Sequence, residues 1–260
     1  MTENDWNVFV KQPYIMVAPT GARRTKSDHP KLPVTLTEII QTAEACFKGG
    51  ANALHLHVRD DDGAHSLDTG RYKEALAEMQ IRLPDMDVQI TTESAGIFDV
   101  ADQLACLQAV KPSWASVSIR EVSRAPALAK RLYQTCCDNE TVVQHILYNA
   151  EDVALLDDWQ TKGIIDTSQN SVIFVLGRYT AGQESQPDDL TPFLDAIRKS
   201  DHNIRRWMVC AFGMNEHLCL AEVAAKGGDL RVGFENSLLS PAGTLHDDNA
   251  ASLQMLKSLL

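Results

Sequence analysis

Strand-length apolar runs alternate with longer segments of helical periodicity along the whole sequence, and this order limits the possible folds more than any other feature. Such alternation predicts a parallel sheet whose strands are joined by crossover helices. Eight strand–helix units can be counted, and no Pro- or Ser-rich linker separates them. The length of 260 residues is close to the roughly 250 typical of an α/β barrel. We therefore expect a TIM barrel, a (β/α)8 fold, as a single domain over residues 1–260, rather than an open doubly wound sheet.

The predicted elements divide the chain evenly. Predicted strands are residues 14–18, 53–58, 87–92, 114–117, 141–148, 171–176, 206–211 and 230–234. Predicted helices are residues 37–48, 69–82, 100–110, 126–138, 151–162, 188–200, 216–226 and 245–259. Thr37 can cap the first helix, and Gly49-Gly50 can end it. In TIM barrels the chemistry takes place at the carboxyl ends of the strands, and polar side chains do gather after these runs.

Composition excludes several classes of function. The net charge of -11 argues against nucleic-acid binding, because such binding needs clustered Lys and Arg to neutralise phosphates. No apolar run approaches the length of about 20 residues that spans a bilayer. The acidic first residues lack the pattern of a signal peptide, and the six cysteines have no CxxC spacing. Reduced thiols and a cytoplasmic location are the expectation.

His55 and His57 are the strongest indication of a functional site. They end the second predicted strand, where alternation places both imidazoles on one face and the apolar residues on the other. A lone His in an apolar run is more often a hydrogen-bonded core residue. Two of them at this spacing, followed by Arg59 and three aspartates, favour a metal site, since each buried polar group needs a partner.

Glu235 is the natural third ligand. It follows the last predicted strand, and barrel closure brings that strand near the second one. The alternative is that Glu235 merely pairs with Arg59 or Arg231. Two His and one carboxylate leave coordination positions open, as in catalytic rather than structural metal sites.

These residues belong to longer motifs that resemble the β-keto acid cleavage enzyme family. The resemblance covers nearly the whole chain: a TGA segment followed by DHPKLPVT, then HLHVRDDDG, FVLG, and GG-x-x-RVGFE. It implies an oligomeric TIM-barrel enzyme that binds Zn²⁺ through His55, His57 and Glu235. It further implies a reaction in which a β-keto acid and acetyl-CoA give acetoacetate and a new acyl-CoA, with zinc polarising the keto acid.

The resemblance assigns the proton transfer to an Arg, matched by Arg231, and to an Asp directly after the ligand Glu. Here that position is occupied by Asn236, and an amide cannot accept a proton at neutral pH. A replacement base would come from Glu93, Asp60 or Asp229. Glu93 is the best of these, because it lies at a strand end.

Other departures from the family lie at the same end of the predicted barrel. The segment after the third strand keeps its hydroxyls but lacks the family's glycines, and serines follow the fourth strand. The candidate substrate-binding residues there are Thr91, Thr92, Ser94, Ser116 and Ser118.

Arginine follows the TGA segment, where relatives that take an amino-substituted keto acid carry an acidic residue. Arg23, Arg24 and Arg178 favour a carboxylate, so we expect a keto acid with an anionic distal group, such as a dicarboxylic one. Two uses compete with this: contact with CoA phosphates, and pairing with the acidic surface.

Three hypotheses follow. The leading one is a zinc-dependent β-keto acid cleavage enzyme. The second is a metal-dependent lyase or hydrolase that does not use CoA. The third, suggested by Asn236, is a non-catalytic barrel that binds a metabolite. The remaining histidines lack ligand spacing, and we expect most of them at the surface or in loops.

Overall fold

Eight parallel strands close into a barrel in a computed structural model that describes residues 12–200, 204 and 206–260. Around the barrel the strands follow the order β1-β10-β9-β8-β7-β6-β5-β2, and helices connect consecutive strands on the outside. The TIM-barrel prediction is therefore confirmed. No helix among the described residues is long and apolar enough to cross a membrane.

The observed elements match the predicted order with small shifts at their ends. The strands are β1 Ile15–Val17, β2 Ala53–Leu56, β3 Val58–Arg59, β4 His65–Ser66, β5 Asp87–Thr91, β6 Trp114–Ser118, β7 Val142–Leu147, β8 Ser171–Leu176, β9 Arg206–Ala211 and β10 Asp229–Val232. The helices are α1 Leu36–Lys48, α2 Thr69–Arg82, α3 Val100–Val110, α4 Ile119–Val122, α5 Pro126–Asp138, α6 Ala150–Thr161, α7 Thr191–Lys199, α8 Glu216–Ala225 and α9 Asn249–Lys257.

Capping decides where several helices begin. Thr35, not Thr37, caps α1: its side chain accepts from the Glu38 backbone, and the Glu38 side chain accepts from the Thr35 backbone in return. This reciprocal pair satisfies two otherwise unpaired donors. The helix predicted over 188–200 instead starts with a 3-10 turn at Pro187–Leu190 before α7.

The second predicted strand is broken at His57. β2 stays in the barrel as far as Leu56, whereas β3 leaves it and pairs with β4 as a small antiparallel hairpin. Arg59 holds this hairpin beside the loop after β1, because it donates to the carbonyl oxygen of Gly21 at 2.7 Å and to that of Gly63 at 2.8 Å. His57 therefore lies between the barrel strand and the hairpin, with its imidazole beside that of His55.

The barrel closes where β1 lies between β10 and β2, with Met16 in register with both Arg231 and Ala53. Beyond β1, the backbone N–H of Glu235 donates to the carbonyl oxygen of Ala18 at 3.0 Å. Ala18 and Glu235, which are 217 positions apart in the sequence, thus meet at one end of the barrel, as closure requires.

Candidate active site

His55, His57 and Glu235 form a compact triad at the carboxyl end of the barrel. The Nε2 atoms of His55 and His57 are 3.2 Å apart, and Glu235 Oε2 lies 3.5 Å from the first and 3.4 Å from the second. Both histidines are 1% exposed. No other group of three His, Cys, Asp or Glu side chains in the described part of the chain brings its ligand atoms this close.

The spacing of these atoms fits a tetrahedral metal ion. Ligand atoms about 2.1 Å from such an ion are separated by about 3.4 Å. Glu235 Oε2 is buried and has no hydrogen-bond partner, although it faces both imidazoles. An unpaired buried carboxylate oxygen is costly, and a shared cation would satisfy it. Nitrogen, nitrogen and oxygen donors are a set that zinc accepts.

Electrostatics keeps His55 and Glu235 in the states that bind a cation. Burial, reinforced by the charge of Arg231, lowers the pKa of His55 to about 3, so its imidazole is neutral at physiological pH. Burial works to raise the pKa of Glu235, yet the charge of Arg231 holds it well below its ordinary value. A neutral imidazole and an ionised carboxylate are the metal-binding forms.

Two glutamines orient His55 from inside the barrel. The Nδ1 atom of His55 lies 2.8 Å from Gln89 Oε1, and the Gln89 amide donates to Gln144 Oε1 at 3.0 Å. A hydrogen bond at Nδ1 leaves Nε2 free to face the metal and fixes the plane of the ring. Sequence reasoning missed both glutamines, although Gln89 is two residues before Thr91 on the same strand and so faces the same side of the sheet.

Arg231 and Asn236 lie behind Glu235. Arg231 Nη2 donates to Glu235 Oε1 at 3.0 Å and to Asn236 Oδ1 at 3.3 Å. The ion pair between Glu235 and Arg231 therefore coexists with the triad. Arg231 donates to one carboxylate oxygen, and the two histidines face the other. The Asn236 amide group donates to Glu216 Oε1 at 3.0 Å.

Glu93 reaches the metal ligands from the end of β5. Its carboxylate lies 4.0 Å from His57 Nε2 and 4.0 Å from Arg23, and its side chain is 21% exposed. The other two candidate bases have partners elsewhere. Asp60 accepts from the Asp62 and Ala64 backbone within the hairpin turn, and Asp229 lies at the amino end of β10, where it accepts from the Tyr14 backbone.

The five candidate hydroxyls divide into two groups. Thr91 lines the cavity above the triad, and the buried Ser116 hydroxyl has no protein partner. The remaining three already serve the protein: Thr92 donates to the Ser116 carbonyl oxygen at 3.1 Å, Ser94 donates to Glu121 at 3.0 Å, and Ser118 accepts from the Glu121 backbone at 3.3 Å.

The three candidate arginines have different surroundings. Arg24 donates to the carbonyl oxygens of Phe234 and Asn236, and so ties the loop after β1 to the loop after β10. The Arg23 side chain is 58% exposed. Arg178 is half-buried, packs over the Phe212 ring at 5.3 Å, and lines both cavities that adjoin Glu235. Arg178 is thus the arginine best placed to meet a ligand in the mouth.

Comparison with known proteins agrees with this geometry. The sequence model of the beta-keto acid cleavage enzyme family matches residues 13–260. The chain belongs to this family. It is 26% identical over 259 residues to a 3-keto-5-aminohexanoate cleavage enzyme from Fusobacterium nucleatum subsp. nucleatum, in an alignment that covers 94% of this chain and 90% of the relative.

Further relatives of this β-keto acid cleavage enzyme family member differ in the substrates they are named for. A 3-oxoadipate:acetyl-CoA acetyltransferase from Cupriavidus necator is 31% identical in an alignment of 264 positions that covers 94% of this chain and 87% of the relative. Among solved structures, the apo structure of ObcA superposes with a TM-score of 0.65 at 14% identity, covering 88% of this chain and 61% of that chain. The likeness to ObcA shows the barrel fold alone.

Tyr148 is a residue of the mouth that sequence reasoning did not single out. It follows β7 and lines the cavity above the triad together with Glu93, Arg178 and Arg231. Its ring lies 5.0 Å from the Arg120 guanidinium carbon, and its backbone N–H donates to Asp152 at 2.8 Å. Period-two alternation along β7 from Gln144 would have placed it inward.

The expectation that most other histidines are surface or loop residues is wrong as to exposure. Five of them are at most 6% exposed: His29, His65, His145, His217 and His246. Four pair with backbone carbonyl oxygens: His29 with His246, His65 with Glu93, His145 with Gln169, and His217 with Ser252. Such partners offset the cost of burying an imidazole, and His202 lies outside the described residues. All six cysteines are free thiols, as predicted.

Proposed function

We propose that this protein is a zinc-dependent β-keto acid cleavage enzyme that uses acetyl-CoA. In the proposed reaction the acetyl group leaves CoA and joins the α-carbon of the keto acid. CoA takes over the acyl group of the keto acid as the bond between that acyl carbon and the α-carbon breaks. The products are acetoacetate and a new acyl-CoA. The observation that carries the proposal is the His55, His57 and Glu235 triad, whose open side faces the barrel mouth.

His55, His57 and Glu235 would hold the ion. When bound, zinc supplies a Lewis acid for the keto-acid oxygens. Arg231 keeps Glu235 ionised and in place through their 3.0 Å contact. Thr91 lines the cavity, and its hydroxyl, which accepts from the Glu93 backbone at 3.0 Å, can still donate its hydrogen to a substrate. The Ser116 hydroxyl is buried away from the residues that line the cavity, and Thr92, Ser94 and Ser118 have protein partners.

Glu93 is the proposed base. It must take one proton from the carbon between the two carbonyl groups, and that proton returns to the acetoacetate that leaves. Its position supports the role: the carboxylate lies at the mouth beside His57, and the side chain reaches the cavity that the ligands line. Asn236 cannot do this, since its amide is already bonded on both sides and accepts no proton.

The proposed substrate carries a second carboxylate. Arg178 lines the mouth, and the guanidinium fork suits a carboxylate better than a neutral group. The Cupriavidus necator relative is named for 3-oxoadipate, a dicarboxylic β-keto acid. The two cavities beside Glu235 have volumes of only about 30 and 50 Å³. Glu93 or Arg178, which line both, must therefore move when a keto acid binds.

The test compares two keto acids of equal length. Zinc-loaded protein is incubated with acetyl-CoA and either 3-oxoadipate or the neutral-tailed 3-oxohexanoate, and acetoacetate and acyl-CoA are quantified. We expect at least about a 10-fold preference for 3-oxoadipate, which Arg178→Met abolishes and Arg198→Met, on the exposed face of α7, leaves intact. Acetoacetate from neither acid would contradict the proposal, and turnover that ignores acetyl-CoA would favour the lyase or hydrolase.

Two further family expectations stay predictions. Copies of the chain are expected to associate into a homo-oligomer, which light scattering after size-exclusion chromatography would detect. A cytoplasmic location is expected as well, and fractionation of the cells that produce the protein would check it.

A further inference from the structure

Glu216 is a buried carboxyl group that the proposed reaction does not use. It is the first residue of α8 and is 0% exposed. One of its oxygens, Oε1, accepts from the Gly233 backbone at 3.1 Å and from the Asn236 amide at 3.0 Å. The other, Oε2, is buried and has no hydrogen-bond partner. A buried polar group with an unpaired atom calls for an explanation.

The contacts of Asn236 fix which way its amide points. Its nitrogen has two acceptors, Glu216 Oε1 at 3.0 Å and the Arg231 carbonyl oxygen at 3.1 Å. Both amide hydrogens are thus used, and the amide oxygen faces Arg231 Nη2 at 3.3 Å. The reverse orientation would point the amide hydrogens at the arginine donors, which cannot accept them.

The chain of contacts continues to the proposed metal ligands. Arg231 Nη2, which Asn236 holds from behind, donates to Glu235 Oε1 at 3.0 Å. The second oxygen of Glu235 then faces His55 and His57 at 3.5 and 3.4 Å. Glu216 is therefore linked to the triad through two intervening side chains, Asn236 and Arg231, and a change in its hydrogen bonding would be transmitted to Glu235.

Both contacts of Glu216 use the same atom, Oε1, so the neighbouring donors require an oxygen at that position. Glu216→Gln can keep it, because the amide oxygen can occupy the Oε1 position and accept from both the Gly233 backbone and the Asn236 amide. Glu216→Leu removes it and leaves both donors unpaired in a buried place. Asn236→Ala removes the side chain that links position 216 to Arg231.

We propose that Glu216 is a positioning residue, which fixes the Asn236 amide so that Arg231 is held against Glu235. Asn236 is then the link between Glu216 and Arg231, so the site tolerates Glu216→Gln, which keeps an acceptor at the Oε1 position, but not Glu216→Leu, which removes it. The inference rests on the proposed metal centre. It requires no turnover.

A double-mutant cycle tests the coupling. Wild type, Glu216→Leu, Asn236→Ala and the double variant are compared at pH 7, with Glu216→Gln as the conservative variant, by thermal unfolding of the metal-free protein and by zinc affinity in competition with a chromogenic chelator. We expect Glu216→Leu and Asn236→Ala each to weaken zinc binding about 10-fold, the size usual for groups that orient metal ligands. The double variant should bind zinc within about 3-fold of either single variant, because both changes break the same series of contacts. Glu216→Gln should bind zinc within about 3-fold of wild type. The effects of the two changes on the melting temperature should also be non-additive.

Asp229→Asn is the matched control, because Asp229 is also buried but pairs with Arg206 at the other end of the barrel. It should leave zinc affinity unchanged. Zinc affinity that is unchanged in Glu216→Leu, or losses in the two single variants that add up in the double variant, would overturn the inference. If Glu216→Leu does not fold, Asn236→Ala alone still decides, since zinc affinity equal to that of wild type would overturn the inference. Wild type that fails to bind zinc would refute the proposed function, while the coupling in melting temperature would still test this pair.

Discussion

Glu216 also makes a quantitative prediction about stability and pH. Burial raises the pKa of its carboxyl group from 4.5 to about 8. Since the folded protein then binds this proton more tightly than the unfolded chain, the stabilisation is complete below about pH 4.5 and is lost as the pH rises to about 8. At about 1.4 kcal/mol per pH unit, the loss amounts to about 5 kcal/mol. Glu216→Gln removes this titration.

The assay is urea unfolding of wild type and Glu216→Gln at several pH values from about 5 to about 9, a range that spans most of the window between the two pKa values. Titrations of other groups cancel in the difference in unfolding free energy between the two proteins. This difference should shift in favour of Glu216→Gln by several kcal/mol as the pH rises. Glu216→Leu separates the contribution of the hydrogen bonds from that of the titration. It should be less stable than Glu216→Gln at every pH, and the difference in stability between the two variants should not depend on pH. Parallel curves for wild type and Glu216→Gln would refute the reasoning.

Three more predictions concern the mouth of the barrel. Gln89→Leu leaves His55 Nδ1 without its 2.8 Å partner and should weaken zinc binding about 10–100-fold, measured by chelator competition; unchanged affinity would show that the ring is held by packing alone. Tyr148→Phe should change kcat more than KM, with kcat lowered, because Tyr148 lines the cavity above the triad. Tyr179→Phe, at a residue that is 67% exposed, should change neither kcat nor KM. Removal of bound metal by chelation should lower the melting temperature, and added zinc should restore it in proportion to the logarithm of its concentration; a melting temperature insensitive to zinc would count against the centre.

The barrel could be predicted because its evidence is local. Each strand and helix has its own periodicity, and eight alternating units leave few other ways to bury every apolar face. Boundaries were harder. Thr35 rather than Thr37 caps α1, because only at Thr35 do the side chain and Glu38 bond to each other's backbone. The break of the second strand at His57 depends on a pairing between Arg59 and His65 that no strand periodicity reveals.

The roles of the arginines could not be separated in the same way. Arg23, Arg24 and Arg178 have the same chemistry in the sequence, yet Arg24 is occupied by two backbone carbonyl oxygens, whereas Arg178 lines the mouth. Which arginine can reach a ligand depends on where the loop after β10 passes, and that is set by packing between distant segments. Asp229 differs in this respect, because it directly precedes the predicted strand 230–234 and its place at the amino end could be read from the sequence.

The sequence by itself determined the class of fold and the family, together with the metal triad proposed for His55, His57 and Glu235. Two of these ligands share one strand face, and the third ends the strand that barrel closure must bring near them. Only the tertiary structure decided that the Asn236 amide is held by Glu216, because that contact joins the start of α8 to the turn after β10. Side-chain period is a local property, but a hydrogen bond between a helix end and a distant loop depends on how the whole barrel closes.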